Sequence, residues 1–351
     1  MSKFRVGIIG CGRPGRGQGR AHAKGYKSSP DCEIVAAADI VKENLDLFCQ
    51  EFAVPHGYLD HREMLAKEQL DIVSVCAWPE FHAPIVVDAA RAGVKAIHCE
   101  KPMATTWGDA KKMAAICEEQ HVQLTIGHQR RYGKPFQKAK ELLDGGAIGQ
   151  LTRLEAFTHN LYDWGTHWFD MMFFYNNEQP AEWVMGQIEP KGGRSIFNVQ
   201  HEGQGLSFLK WRNGVYGLMV TGKEIMGAPD DPTTRPPCEN RLIGAEGVIE
   251  VAIKEGQGLR LRNIETGGHW RDYDVGSIHG VPDVISAVLA TVEALKTGRE
   301  SLISARKALQ AVEVIFATYE SSRRRGRVNL PLDIEDSPFH AMLAAGVISA
   351  G

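Results

Sequence analysis

Three groups of residues in this chain have types and spacings that do chemistry. Residues 96–102, AIHCEKP, form a short apolar run that ends in Glu100, Lys101 and Pro102. A lysine carried on the end of a buried strand into a cleft suits polarisation of a reacting oxygen or exchange of a proton. A plain strand exit with a solvated Glu and Lys is the structural alternative. Asp163 and His167 stand four residues apart, which on a helix or its first turn puts them on one face. A carboxylate beside an imidazole orients the ring and raises its basicity, as removal of an alcohol proton requires. An N-capping aspartate with an interior histidine is the alternative here. The third group is Gly10, Gly12 and Gly15 with Arg13 and Pro14 between them, a GxGxxG that suits the pyrophosphate of a dinucleotide.

These groups need particular elements to position them. The glycines follow an apolar strand pattern at 4–10 and precede a helix, the context in which the fingerprint has meaning. Asp39 closes the second strand pattern, 34–39, where a carboxylate accepts hydrogen bonds from ribose hydroxyls. It would repel a 2′-phosphate, and Ile40 offers no arginine to receive one, so NAD is expected as the cofactor over NADP. The loop runs on through Arg16-Gly17-Gln18-Gly19, so either Gly15 or Gly19 can be the third functional glycine.

Further strand patterns at 72–76, 96–99 and 123–127 alternate with helical stretches at 42–52, 62–69, 84–92 and 107–120. That alternation calls for an α/β fold with a parallel sheet, a Rossmann domain over 1–127. Beyond Gly127 the character changes. Helical patterns at 134–144 and 164–175 flank longer alternating strands at 151–158, 183–188, 206–211, 215–221, 239–243, 248–253 and 270–275, and helices at 281–296 and 305–323 follow. Residues 128–331 are therefore expected to form an α+β domain with a large, mostly antiparallel, open-faced sheet for substrate binding and oligomerisation, and 332–351 a weakly patterned tail. The proline-rich stretch 226–238 is longer than a hairpin needs.

Composition excludes several classes. Lys+Arg 40 against Asp+Glu 43, with no basic block beyond Arg323-Arg324-Arg325 and Arg327, argues against nucleic acid as a partner. No uncharged run approaches membrane-spanning length. The 7 cysteines lack CxxC spacing, and together with the absence of a signal-peptide pattern they point to reduced thiols and the cytoplasm.

The order of the motifs resembles the glucose-fructose oxidoreductase / inositol dehydrogenase / MocA family. The likeness runs from VGIIGCG at Val6 through the stretch ending AIHCEKPMATT, HQRRY at His128, LYDWGTHWFDMM at Leu161, IGAEG at Ile243 and YESSRRRGRVNLPL at Tyr319. It implies that Glu100 and Lys101 sit beside the nicotinamide, that the Lys101–Pro102 bond is cis, and that Ala77, Trp78, Pro79 and His82 line the cofactor cleft. For Trp78 and His82, packing in the interior is the competing role. The resemblance also implies that Lys101, Asp163 and His167 are the catalytic residues of a dehydrogenase acting on a sugar, polyol or glycoside, assembled as a homodimer or homotetramer.

Lys101, Gln129, Arg130, His159, Asn160, Tyr162, Trp164 and His167 supply groups for hydroxyl recognition, although ion pairing is the commoner role for arginines placed as Arg130 and Arg131 are. His159, Asp163 and His167 also spell HxxxDxxxH, a pattern for two imidazoles and a carboxylate on zinc. Gly165 interrupts that helix and the family works without metal, so no metal is expected. Asp163 stands only five positions after Thr158, a shorter connection than in many relatives, which favours a larger substrate such as a glycoside. Two rivals remain: NAD-assisted glycoside cleavage through transient 3-keto oxidation and elimination, and a dinucleotide-binding sensor without turnover.

Overall fold

The computed structural model describes residues 2–13, 15–223, 236, 238–253, 257–277 and 280–349. The chain divides into two compact units, 1–129 with 280–308, and 130–279 with 309–351.

In the first unit, short runs of β-branched and small apolar residues form strands buried on both faces, as a sheet covered on both sides requires. The order along the chain is β1 (Phe4–Ile9), α1 (Gln18–Ser28), β2 (Cys32–Ala38), α2 (Lys42–Phe52), β3 (His56–Tyr58), α3 (His61–Lys67), β4 (Ile72–Val75), α4 (Pro79–Arg91), β5 (Ala96–Cys99), α5 (Trp107–Glu119) and β6 (Gln123–Ile126). All pairings are parallel, in the order β3-β2-β1-β4-β5-β6. This is the doubly wound Rossmann arrangement, whose ligands sit beyond the carboxyl ends of the strands. Helix α4 begins at Pro79, earlier than the 84–92 pattern suggested, because Pro79 supplies a helix-ready φ at the first position.

The second unit carries α6 (Lys134–Asp144), β7 (Leu151–Thr158), α7 (Gly165–Tyr175), β8 (Ala181–Glu189), a small ribbon of β9 (Ser195–Ile196) and β10 (Val199–Gln200), β11 (Gln204–Trp211), β12 (Tyr216–Gly222), β13 (Asn240–Gly244), β14 (Gly247–Ile253), β15 (Gln257–Asn263) and β16 (Arg271–Ser277). Among the described residues its main sheet has nine strands, ordered β16-β15-β14-β13-β7-β12-β11-β8-β17, where β17 is Val328–Asn329. Among its described strands only β7 and β12 pair in parallel. One face is covered: Ser207 hydrogen-bonds Thr318 at 2.8 Å and Ser321 Oγ accepts the Gly186 N–H at 2.8 Å. The opposite face carries Trp183 and Phe208 with the partly exposed Met185, Leu206 and Tyr216, and Phe208 stacks on Tyr216 at 5.5 Å. The 226–238 stretch lies almost wholly outside the described residues.

Two boundaries differ from the sequence reading. Helix α8 (Val281–Thr297) joins the first unit instead of the second, because Val288 and Val292 complete the apolar core built by Val6, Ile8, Ile34 and Ile72. Gly25 of α1 has no side chain where a Cβ would stand 2.9 Å from Val288, so the two helices pack closely. Helix α9 (Ala305–Arg324) starts in the first unit and continues in the second. The tail is the other difference. It contains α10 (Pro338–Ala344) and belongs to the second unit, with Phe339 buried 5.4 Å from the Tyr319 ring. A seven-residue helix is too short to show periodicity.

Candidate functional site

In the first unit the glycine-rich turn divides its tasks over more residues than GxGxxG implies. Gly10 has φ +91°, and a Cβ there would lie 2.6 Å from the Cys76 backbone; Gly12 has φ +70° with Arg16 O at 2.7 Å from the same virtual atom. Helix α1 begins only at Gln18, and a Cβ on Gly19 would stand 2.2 Å from Gly10 O. Close packing of helix against strand, the third glycine's task, therefore belongs to Gly19. Gly15, at φ +68°, faces open space. Pro14 lies outside the described residues, and Arg13 contributes a carbonyl that accepts from Arg16 N (3.0 Å) and Arg20 Nε (3.1 Å).

Asp39 braces this turn. Its Oδ2 accepts the Cys11 N–H at 2.8 Å and its Oδ1 the Val41 N–H at 2.9 Å. Each carboxylate oxygen keeps a second acceptor site for a ribose hydroxyl. A cradle of glycines that any Cβ would fill, with a carboxylate anchored to it, fits a dinucleotide.

At the end of β5, Glu100 is buried and accepts from His22 Nε2 at 2.9 Å. A carboxylate only accepts, so Nε2 carries the hydrogen. His22 Nδ1 lies 3.0 Å from Ser74 Oγ, which lies 3.0 Å from the Tyr26 hydroxyl. Glu100 Oε2 accepts the backbone N–H of the half-buried Lys101 at 3.2 Å, and the Lys101–Pro102 bond is cis. Burial by itself would raise the Glu100 carboxyl, but the His22 hydrogen bond and the charges of His22 and Lys101 hold it below its ordinary value. Gly127 leaves the room, since a Cβ there would stand 3.1 Å from Glu100 Oε1.

Ala77, Trp78 and Pro79 join β4 to α4. Trp78 is the N-cap residue and 52% exposed, so it is not a core aromatic. His82 is buried, with Nδ1 2.9 Å from Pro102 O and Nε2 3.0 Å from Ala77 O; the ring ties two loops at the carboxyl ends of β4 and β5.

In the second unit a turn leads into α7. Asn160 Oδ1 accepts the N–H groups of Asp163 (2.7 Å) and Trp164 (3.1 Å), and its carbonyl accepts that of Gly165 (2.8 Å). Asn160, read from the sequence as a substrate contact, commits its side-chain oxygen to folding this turn. Gly165 is required because a Cβ would lie 2.9 Å from Asn160 O. Asp163 thus sits in the turn before α7 and His167 in the helix's first turn, both buried. Tyr162 is buried, and burial with the Asp163 charge raises its phenol. His159 is exposed and meets Trp164 edge-on at 5.5 Å.

The arginines separate. Arg131 is buried in ion pairs with Asp170 (2.7 Å) and Glu178; burial opposes its charge, but these carboxylates raise its pKa. Arg130 lies 4.1 Å over the Trp168 ring, 5.7 Å from that of Trp164 and 6.0 Å from that of Phe136. Burial pushes the Glu239 carboxyl up to about 7, with the Arg130 charge opposing. Gln129 Oε1 is buried without a partner among the described residues.

Sequence reasoning missed His22, His201, Glu202 and Glu239. Glu202 is fully buried; its Oε1 accepts the Leu161 N–H at 2.5 Å and its Oε2 the Tyr319 hydroxyl at 2.6 Å. Burial pushes its carboxyl up to about 7. His22 had a signal in its place three residues after Gly19; Glu239 opens the 239–243 strand pattern, which marks no site, and His201 and Glu202 lie in a connection without periodicity.

The strand order, the glycine turn and Asp39 at the end of β2 define a Rossmann dinucleotide-binding protein. Residues 4–128 match the family described as oxidoreductase, NAD-binding Rossmann fold. The chain is 31% identical to a D-apiose dehydrogenase of Rhizobium rhizogenes over 361 aligned positions, covering 94% of this chain and 98% of that protein. It therefore belongs to the glucose-fructose oxidoreductase / inositol dehydrogenase / MocA family, with NAD as cofactor. A D-apiose dehydrogenase of Paraburkholderia graminis is 36% identical over 149 residues, 42% of this chain and 38% of that protein's length. An oxidoreductase of Agrobacterium radiobacter, solved with NAD+, L-tartaric acid and magnesium, shares the fold at a TM-score of 0.76 and 21% identity, covering 93% of this chain and 98% of that one. Among the described residues no helix is long and apolar enough to cross a membrane.

Proposed function

We propose that this protein is an NAD-dependent dehydrogenase that transfers a hydride between the nicotinamide and a hydroxyl of a sugar, polyol or glycoside. The reading is carried by Lys101, an amine held half-buried at the carboxyl end of β5 in an NAD-binding Rossmann sheet, where ligands of such sheets bind. The D-apiose dehydrogenase relative supports the substrate class.

Bound NAD supplies the hydride acceptor. The glycine turn from Gly10 to Gly19 holds the pyrophosphate, and Asp39 takes the adenine ribose. His167 accepts the hydroxyl proton, oriented by Asp163, which the Asn160 turn fixes in place. Lys101 polarises the reacting oxygen and shares the proton. Gln129, Arg130, Tyr162 and Trp164 hold the remaining hydroxyls, Arg130 through its donors and the tryptophan through its face. The exposed apolar row of Met185, Leu206 and Tyr216 supports self-association through the second unit's sheet.

The test is a screen of sugars, polyols and glycosides with NAD+, following NADH absorbance, beside Lys101→Ala and His167→Ala. Each variant is expected to lose about 100-fold or more in kcat/KM on the best substrate. Wild-type turnover in both would overturn the assignment. Release of an aglycone without net NADH would identify the elimination chemistry instead.

A further inference from the structure

The connection between β10 and β11 carries a histidine that no role above accounts for. His201 is 6% exposed, and its Nδ1 lies 2.7 Å from the Glu202 carbonyl oxygen. A carbonyl only accepts, so Nδ1 carries the ring hydrogen. Burial holds the imidazole toward its neutral form, against the opposing pulls of that hydrogen bond and of the Asp163 charge. Nε2 is then a bare acceptor. It is buried, and among the described residues it has no hydrogen-bond partner.

His201 adjoins a residue that is bound to the turn leading into α7. Glu202, the next residue, is clamped to Leu161 N at 2.5 Å, and Leu161 opens the turn that contains Asp163. Four donors of that turn and its clamp are committed elsewhere: Leu161 N–H and Tyr319 O–H to Glu202, Asp163 N–H and Trp164 N–H to Asn160. A buried acceptor without a donor is unfavourable and is ordinarily satisfied from outside the chain.

We infer that His201 is a further substrate-contacting residue of this site, its Nε2 accepting a hydrogen bond from a hydroxyl of the bound sugar or polyol. The inference rests on the dehydrogenase reading. A hydroxyl is the matching chemistry because it brings the donor that the neutral ring requires, which a carboxylate or phosphate anion does not.

The experiment compares wild type with His201→Phe, which keeps a ring but removes the acceptor, and His201→Gln, which restores an acceptor on a flexible side chain. Steady-state kinetics are measured on the best substrate of the screen and on its monodeoxy analogues, with NADH affinity by fluorescence and Tm as controls. For His201→Phe, KM is expected to rise roughly tenfold on the full substrate, with NADH affinity unchanged and the penalty absent on the one analogue that lacks the contacted hydroxyl. His201→Gln should recover part of the loss. Equal kinetics in wild type and His201→Phe, or an equal loss on every analogue, would overturn the inference. A wild type that oxidises nothing in the screen would overturn the dehydrogenase reading itself and the inference with it; an active wild type with an indifferent His201 overturns the inference alone.

Discussion

His22 Nε2 donates to Glu100 Oε1 at 2.9 Å, joining the helix that follows the glycine turn to the residue that precedes Lys101. Through Oε2 the same carboxylate holds the Lys101 backbone N–H. The helix that follows the glycine turn and the lysine therefore share one buried carboxylate.

Glu100→Gln is expected to lower the stability of the first unit by about 1–3 kcal/mol at neutral pH, since it removes one charge-assisted hydrogen bond in a dry site. The folded Glu100 carboxyl lies below its ordinary value of 4.5. Its contribution is thus fully present above pH 4.5 and is lost as pH falls through the folded pKa. Urea unfolding of wild type and variant should differ most above that value and converge in acid. A constant difference from neutral pH down through the acid limb would contradict the assignment.

The glycine assignment separates Gly19 from Gly15. Gly19→Ala puts a Cβ 2.2 Å from Gly10 O and must push α1 away from β1; NADH affinity should fall at least about tenfold and stability by about 2 kcal/mol or more. Gly15→Ala meets no atom within 4 Å and bears only the left-handed φ, about 1–2 kcal/mol. NADH fluorescence titrations on the two variants decide it, and the reverse ranking would return the third-glycine role to Gly15.

Glu202 has the opposite sign from Glu100. Burial raises its folded pKa to about 7 from 4.5, so between these values the native state holds a proton that the unfolded chain releases. Stability is therefore greatest below pH 4.5, declines as pH rises to about 7 and is level above it. Glu202→Gln keeps an acceptor for the Leu161 N–H and can reverse the Tyr319 hydrogen bond. The variant should lose less stability than wild type between pH 5 and pH 8, measured by urea unfolding. Identical pH dependences would show that Glu202 does not titrate there.

The sequence by itself determined the Rossmann half, because alternation of short apolar runs and helical patterns admits few arrangements and the glycine turn and Asp39 lie at fixed offsets from their strands. It also determined that Lys101 follows closely on β5 and that Asp163 and His167 flank the start of α7, since both are local relationships within a few residues. Tertiary structure alone decided the rest. Helix α8 returns to the first unit because Val288 and Val292 fit a core some 250 residues earlier in the chain, and an apolar stripe does not name the surface it covers. Of Gly15 and Gly19, which the sequence leaves open, Gly19 takes the packing task because only the extended turn brings its Cα to Gly10 O. His22 meets Glu100, and Glu202 meets Leu161, across 78 and 41 residues. Such polar contacts carry no periodicity, and their partners are chosen by which buried groups the folded backbone leaves facing one another.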